Sequence, residues 1–195
     1  MTRTRVVLGV SGASGAALSL AVARRLASAD IETDLVVSPA ATLTLGQECG
    51  LDALGELRQL VTRHHATADI GASIASGSVP ISGMIIAPCS MRSLAAIAHG
   101  LDDNLLTRAA GVQLKERRPL VLLAREAPLT LAHLRNMTAA AEMGAIILPP
   151  VPAFYLKPNN MTEIVEQIAA RAVDCLKICD AVARQWHPRN ETADS

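Results

Sequence analysis

The sequence predicts an α/β protein: a parallel sheet with helices on both faces. Three observations predict it. Short apolar runs alternate with longer helical patterns along the whole chain. Those runs are continuous rather than alternating in apolar character, as strands buried on both faces are. No linker, internal repeat or low-complexity segment divides the 195 residues, so one domain spans 1–195, long enough for a substantial core.

The elements follow in order. Arg5 to Gly9 reads as a buried strand and Ala16 to Ala29 as a helix, with Leu18, Val22 and Leu26 four apart on one side. Between them lies Gly9-Val-Ser-Gly-Ala-Ser-Gly-Ala16. Its glycines fall every third residue, so it is not the dinucleotide fingerprint G-x-G-x-x-G. A strand, a small-residue turn and a helix start predict a phosphate cradle, with the first helical N–H groups aimed at an anion. Ile31 to Val37 is a second strand, and Pro39 starts a helix to Cys49. Leu51 to His65 reads as helix and Ala66 to Val79 as loop, its Ala72 to Ser78 small and polar enough to line a ligand site.

Gly83 to Ala87 is a central strand running into Pro88-Cys-Ser-Met-Arg-Ser93 and a helix through Ala98. Leu101 to Arg117 reads as helix, Pro119 to Ala124 as strand, Leu129 to Met143 as helix and Ala145 to Leu148 as strand. Pro149 to Pro152 is a rigid loop. Met161 to Cys179 reads as a long helix capped by Asn160, which puts Cys175 and Cys179 on one face. The polar tail after Trp186, from about residue 187, is expected to fray.

Composition narrows the function classes. Lysine plus arginine equals aspartate plus glutamate, 18 each, which gives no support to a nucleic-acid or membrane-surface role. High apolar content with no net charge points to surface buried between subunits. The only aromatics are Phe154, Tyr155 and Trp186, so the core is built from aliphatic side chains. Cysteines 49, 89, 175 and 179 form no C-x-x-C pair, and the five histidines have no ligand spacing, so no metal site is expected. With no signal peptide or spanning segment in view, the sequence reads as cytoplasmic.

In a sheet of this kind ligands bind beyond the carboxyl ends of the strands. Gly12, Ala13 and Ser14 follow the first strand, Ser38 the second, Ser90 and Ser93 (with Arg92 between) the central one, Arg125-Glu126 the next, and Phe154-Tyr155 the last. Small donors from three loops and a guanidinium from a fourth suit a phosphorylated cofactor with a polyhydroxy chain. Each serine alone also fits a helix cap. Arg108 and Lys115, seven apart, share a helix face where a second anion would sit. Glu126 beside Arg125 fits a general acid or base as well as an ordinary ion pair.

The motifs together resemble the flavin prenyltransferases of the UbiX type over nearly the whole chain. They are Ser11-Gly-Ala-Ser-Gly-Ala16, Ser82-Gly-Met-Ile-Ile-Ala-Pro-Cys-Ser90 with Ser93, Asp103-Asn-Leu-Leu-Thr-Arg-Ala-Ala110, Leu114-Lys-Glu-Arg-Arg-Pro-Leu120, Arg125-Glu-Ala-Pro128 and Pro152-Ala-Phe-Tyr155. The resemblance implies a Rossmann-like (flavodoxin-like) flavoprotein fold, assembled from trimers into a dodecamer. It implies metal-independent transfer of a dimethylallyl group from dimethylallyl phosphate to N5 and C6 of reduced FMN. The prenylated FMN product serves a UbiD-type decarboxylase in ubiquinone biosynthesis or aromatic acid decarboxylation.

Carried over by resemblance, Gly12, Ala13, Ser14, Ser38, Ser90, Met91, Arg92, Ser93 and Arg125 would hold FMN, with Ser14 near N5 and Glu48 near the flavin. Arg108, Lys115, Glu126, Tyr155 and Arg171 would surround the prenyl phosphate, some from a neighbouring subunit, and Trp186 matches an aromatic of the prenyl site. Ser14, Glu48, Lys115 and Glu126 are then the catalytic set. Ile70 replaces an aromatic of some members and Ala127 a hydroxyl residue of many. Two other readings remain open: a cysteine-decarboxylating flavoprotein of the same fold, which would not need Lys115, Glu126, Tyr155 and Arg171 together, and a non-catalytic FMN-binding subunit of an aromatic-acid decarboxylase.

Overall fold

The computed structural model describes residues 4–186. Six strands form one parallel sheet: β1 (Arg5–Val10), β2 (Glu32–Val37), β3 (Arg63–His65), β4 (Gly83–Cys89), β5 (Leu120–Ala124) and β6 (Ile146–Ile147), in the order β3-β2-β1-β4-β5-β6. The helices are α1 (Ala17–Ser28), α2 (Pro39–Cys49), α3 (Ala53–Gln59), α4 (Met91–Ala98), α5 (Leu105–Lys115), α6 (Leu131–Glu142) and α7 (Met161–Asp174). Strand order reverses between β1 and β4, which opens a crevice at their carboxyl ends, the doubly wound Rossmann-like arrangement.

Alternate side chains of each central strand feed two separate cores. Val6, Leu8 and Val10 of β1 and Ile85 of β4 pack with α1 and α7. Val7, Met84 and Ile86 pack on the opposite face with Leu94 of α4 and Leu105 and Leu106 of α5. Both faces are aliphatic, as the composition requires. All three aromatics are instead exposed.

One buried carboxylate ties the first three strands. Asp34 is 0 % exposed. Arg5 donates to it at 2.6 and 2.8 Å, Arg63 at 3.3 Å, and His65 Nε2 lies 2.7 Å away. Arg63 also pairs with Glu32. This corrects the reading of 51–65 as one helix: α3 stops at Gln59, and Arg63–His65 becomes an edge strand. Three residues without an apolar run carry no period to read; Arg63 and His65, two apart on one strand face, are placed by Asp34.

Other boundaries shift for local reasons. The helix expected from Leu101 begins at Leu105, because the Asn104 side chain accepts the N–H groups of Leu106 and Thr107. The last helix starts after Asn160 as expected, but ends at Asp174, so Cys175 and Cys179 do not share a helix face. Residues 66–79 form a loop with one short 3-10 turn, Ser73–Ala75. The tail after Trp186 lies outside the described residues. Among the described residues no helix is long and apolar enough to cross a membrane.

Candidate functional site

One side chain joins the carboxyl ends of β1 and β4. Ser11 is buried; its hydroxyl donates to the Pro88 carbonyl at 2.9 Å and accepts the Ser90 N–H at 2.7 Å. β4 changes register against β5 between Ile86 and Cys89, the kind of irregularity that re-aims the end of a strand. Ser90 then caps α4.

Around this junction lies a cleft of 720 Å³, lined by Ser11, Gly12, Ser38, Ser90, Arg92 and Ser93 together with Thr67, Ala68 and the Asp103–Asn104 turn. A volume of that order suits a small-molecule or cofactor site. Gly12 has no space for a side chain: a Cβ would stand 2.4 Å from that of Ala40. Arg92 and Asp103 form an ion pair at the cleft, and Arg92 holds the Asp103 carboxyl below the usual carboxylate range.

The serines are caps and cleft walls at once. Ser38 Oγ accepts the Ala41 N–H at 3.1 Å. Ser90 Oγ accepts the Ser93 N–H at 3.3 Å and donates to Ser93 Oγ at 3.2 Å. A hydroxyl that accepts one bond keeps a second lone pair, so capping does not exclude a ligand. Met91 is different: as the first residue of α4 it is buried in the core and does not line the cleft.

The start of α1 departs from the expected phosphate cradle. Ala16 has no side chain able to cap, and Glu48, at the end of α2, takes that role. Its Oε2 accepts the N–H groups of Gly15 and Ala16, each at 2.8 Å. Burial opposes the charged carboxylate. It is outweighed by the Ser14 hydroxyl, the two N–H groups and the Arg125 charge, so Glu48 titrates below its usual range. Those N–H groups therefore serve a carboxylate of the same chain, and the exposed Ser14 stands beside it. Gly15, at φ +108°, makes the turn that aims them.

The segment 72–78 does not line the cleft as expected. Ile74 is buried in the core, and Arg118 donates to the carbonyls of Gly77 and Val79. Thr67 and Ala68 face the cleft instead, held there by the Leu105 N–H on the Thr67 carbonyl at 2.8 Å. Their place depends on β3: only with Arg63–His65 as a strand do Thr67 and Ala68 lie past a strand's carboxyl end, and that polar triplet carries no strand pattern. Asp103 and Asn104 carry a visible signal, a capping asparagine ahead of an apolar helix.

The remaining site residues lie in separate places. Arg125 and Glu126 follow β5 and are exposed; Glu126 accepts the Ala127 N–H at 3.0 Å and forms no ion pair with Arg125 among the described residues. Tyr155, Arg171 and Trp186 do come together, in a 510 Å³ cavity beside α7. Arg108 and Lys115 share α5 but occupy its two ends. Arg108 pairs with Asp102 at 2.9 Å. Lys115 pairs with Glu116 and lines a third cleft with Pro119 and Gly144, at the amino edge of the sheet. An eleven-residue helix is about 16 Å long, so Lys115 stands away from the cleft where α5 begins.

Comparison with known proteins gives one consistent picture. The chain matches the Flavoprotein family over residues 1–187. It is 49 % identical over 187 residues to the flavin prenyltransferase UbiX of Thauera aromatica, covering 96 % of each chain. It is 48 % identical over 185 residues to a probable UbiX-like flavin prenyltransferase of Bacillus subtilis, covering 95 % of this chain and 90 % of the other. The crystal structure of AnUbiX with FMN and dimethylallyl pyrophosphate superposes with a TM-score of 0.92 at 40 % identity, over 97 % of this chain and 100 % of that one. A structure described as a dodecameric, FMN-dependent UbiX-like decarboxylase of Escherichia coli O157:H7 gives a TM-score of 0.90 at 40 % identity, over 95 % of this chain and 100 % of that one. The cysteine decarboxylase TvaF shares the fold alone, at a TM-score of 0.63 and 18 % identity over 90 % of this chain and 99 % of that one.

Proposed function

The chain belongs to the flavin prenyltransferases of the UbiX type, and from that membership we propose that it transfers a dimethylallyl group from dimethylallyl phosphate to reduced FMN. The product is prenylated FMN, for use by a UbiD-type decarboxylase. The observation that carries the reading is the wall of hydroxyls, glycine backbone and guanidinium around the β1–β4 junction, in a chain that also keeps a Tyr155–Arg171–Trp186 cavity.

The residues present fit FMN. The 720 Å³ cleft offers hydroxyls at Ser38, Ser90 and Ser93 and the Arg92 cation for a phosphate and a polyol chain, and backbone at Gly12 for close approach. Ala13, Ser14, Met91 and Arg125 complete the set. When bound and reduced, FMN supplies the nucleophilic positions N5 and C6.

Everything else falls to the chain. Arg108, Lys115 and Arg171 neutralise the departing phosphate, Glu126 gives it a proton, and Tyr155 donates a further hydrogen bond. Trp186 offers a π face to the allylic cation that develops. Ser14, oriented by Glu48, holds a proton at the flavin's reactive edge. Because Lys115 stands at the opposite sheet edge, its part in the reaction is assigned to a neighbouring copy in a trimer-based homo-oligomer. We place the protein in the cytoplasm, where its free thiols stay reduced.

The test is anaerobic incubation with reduced FMN and either dimethylallyl phosphate or its pyrophosphate, followed by flavin mass. The expected product is FMN carrying one added five-carbon unit, formed faster from the monophosphate. An unchanged flavin mass with both donors overturns the proposal.

A further inference from the structure

We infer that Gln167 and Asp174 are positioning residues: they hold residues 182–184 against α7 so that Trp186 closes the Arg171–Tyr155 cavity. The inference rests on the prenyltransferase reading for the identity of the substrate, but not for the geometry.

Gln167 and Asp174 are seven apart on α7, hence on one face, with Arg171 between them, four residues after one and three before the other. The Gln167 amide makes two bonds to a single residue. Its Nε2 donates to the Arg184 carbonyl at 3.0 Å, and its Oε1 accepts the Arg184 N–H at 3.1 Å. That is the paired exchange of an antiparallel ladder, made here by a side chain. Asp174 accepts the N–H groups of Val182 and Ala183 at 2.8 and 3.2 Å.

Residues 181–186 belong to no helix or strand. Side chains from α7 therefore replace the backbone partners this segment lacks, at three consecutive residues. The segment reaches that position because α7 stops at Asp174 and the chain turns back, with Lys177 in the left-handed region at φ +55°. Two residues past Arg184 comes Trp186, which lines the same cavity as Arg171, Tyr155 and Leu148.

The cavity has the Arg171 guanidinium and the Tyr155 phenol for an anionic head, and an indole with aliphatic neighbours for a short apolar tail; Gln167 and the Asp174 carboxylate also line it, the carboxylate being turned to the N–H groups of Val182 and Ala183. The indole is 63 % exposed, so little packing holds it apart from the strap. Cutting the strap's bonds should loosen the cavity wall and leave the FMN cleft alone; because Gln167 and Asp174 also line the cavity, Trp186 emission is what separates a loosened strap from a changed wall.

Trp186 is the only tryptophan, so its emission reports the strap directly. The experiment uses the full-length protein and its variants Gln167→Ala, Asp174→Ala, the pair combined, and Trp186→Ala. In the combined variant the emission is expected to shift to the red and acrylamide quenching to rise about twofold. KM for dimethylallyl phosphate is expected to rise about tenfold with kcat within about threefold, while FMN affinity stays unchanged and reports an intact fold. Trp186→Ala is expected to raise KM alike and, since the indole faces the developing cation, to lower kcat as well; KM should rise no further when Gln167→Ala is added, as two changes acting through one element require.

Unchanged emission in the combined variant overturns the clamp. A shifted emission with unchanged KM overturns the wall. If the wild-type protein forms no prenylated flavin, the functional reading falls separately. The strap is then decided by inorganic phosphate: shielding of Trp186 from acrylamide, lost in the combined variant, supports it, and no shielding in the wild type overturns it.

Discussion

The Glu48 carboxylate lies 2.8 Å from the backbone nitrogen of Ala16 and stands in for the cap that alanine cannot provide. An anion at a helix start on an exposed surface contributes about 0.3–1 kcal/mol. Glu48→Gln keeps an acceptor oxygen but removes the charge, so it should lose stability in that range at pH 7. The sign with pH is fixed by the direction of the shift. The folded carboxyl titrates below its unfolded value near 4.5, so its contribution is full above that pH and is lost as pH falls through the folded value. Urea midpoints taken from pH 7 to pH 3 should therefore converge for wild type and variant at the acid end. A constant gap would remove the charge as the cause.

Asp34 gives a larger effect. Burial disfavours its charge, but the bonds from Arg5 and His65 and the charges of Arg5 and Arg63 outweigh this and hold it below the usual carboxylate range. Removing one partner of a buried ion pair costs about 3–5 kcal/mol, since the other charge is left uncompensated. Asp34→Ala should fall at or somewhat below the low end of that range by urea denaturation, because the Arg5 and Arg63 side chains it leaves keep partial access to water. A loss below about 1 kcal/mol would show that Arg5 and Arg63 find other partners without difficulty.

Gly12→Val tests the cleft rather than the core. The new side chain would press on Ala40 at the start of α2, and overpacking of this kind typically costs about 1–3 kcal/mol. Flavin content after purification should drop at least tenfold while the far-ultraviolet dichroism stays that of wild type. Full flavin content would place the ligand elsewhere.

The cysteines offer a chemical check of the sheet. Cys89 ends β4 and is fully buried, and burial pushes its thiol up to about 12. Alkylation with iodoacetamide at pH 8, mapped by mass spectrometry, should modify the exposed Cys179 and leave Cys89 untouched until the protein is unfolded. Early modification of Cys89 would contradict the buried end of the central strand.

Much of this was legible in the chain itself. The strands that are apolar throughout, β1, β4 and β5, are read within two residues at each end, because burial on both faces leaves no polar interruption. Ser38 and Ser90 announce their helices by cap chemistry, which also placed them at the cleft. β3 was illegible for the opposite reason: Arg63-His64-His65 is polar, and a long-range partner, Asp34, decides its conformation. Glu48 was matched to the flavin site by resemblance, but its grip on α1 is a tertiary contact across more than thirty residues that no local pattern encodes. That Lys115 lies away from the β1–β4 cleft follows only when the start and direction of α5 are known.

The length of α5 also has a genetic reading. Its first turn borders the 720 Å³ cleft, and its last residue, Lys115, stands at the far edge of the sheet. Under the proposed roles, a Gly12→Val subunit lacks a usable cleft but still lends its lysine, while a Lys115→Ala subunit does the reverse. Co-expressed, two inactive alleles should rescue each other in mixed assemblies, whereas a single polypeptide carrying both changes should rescue neither.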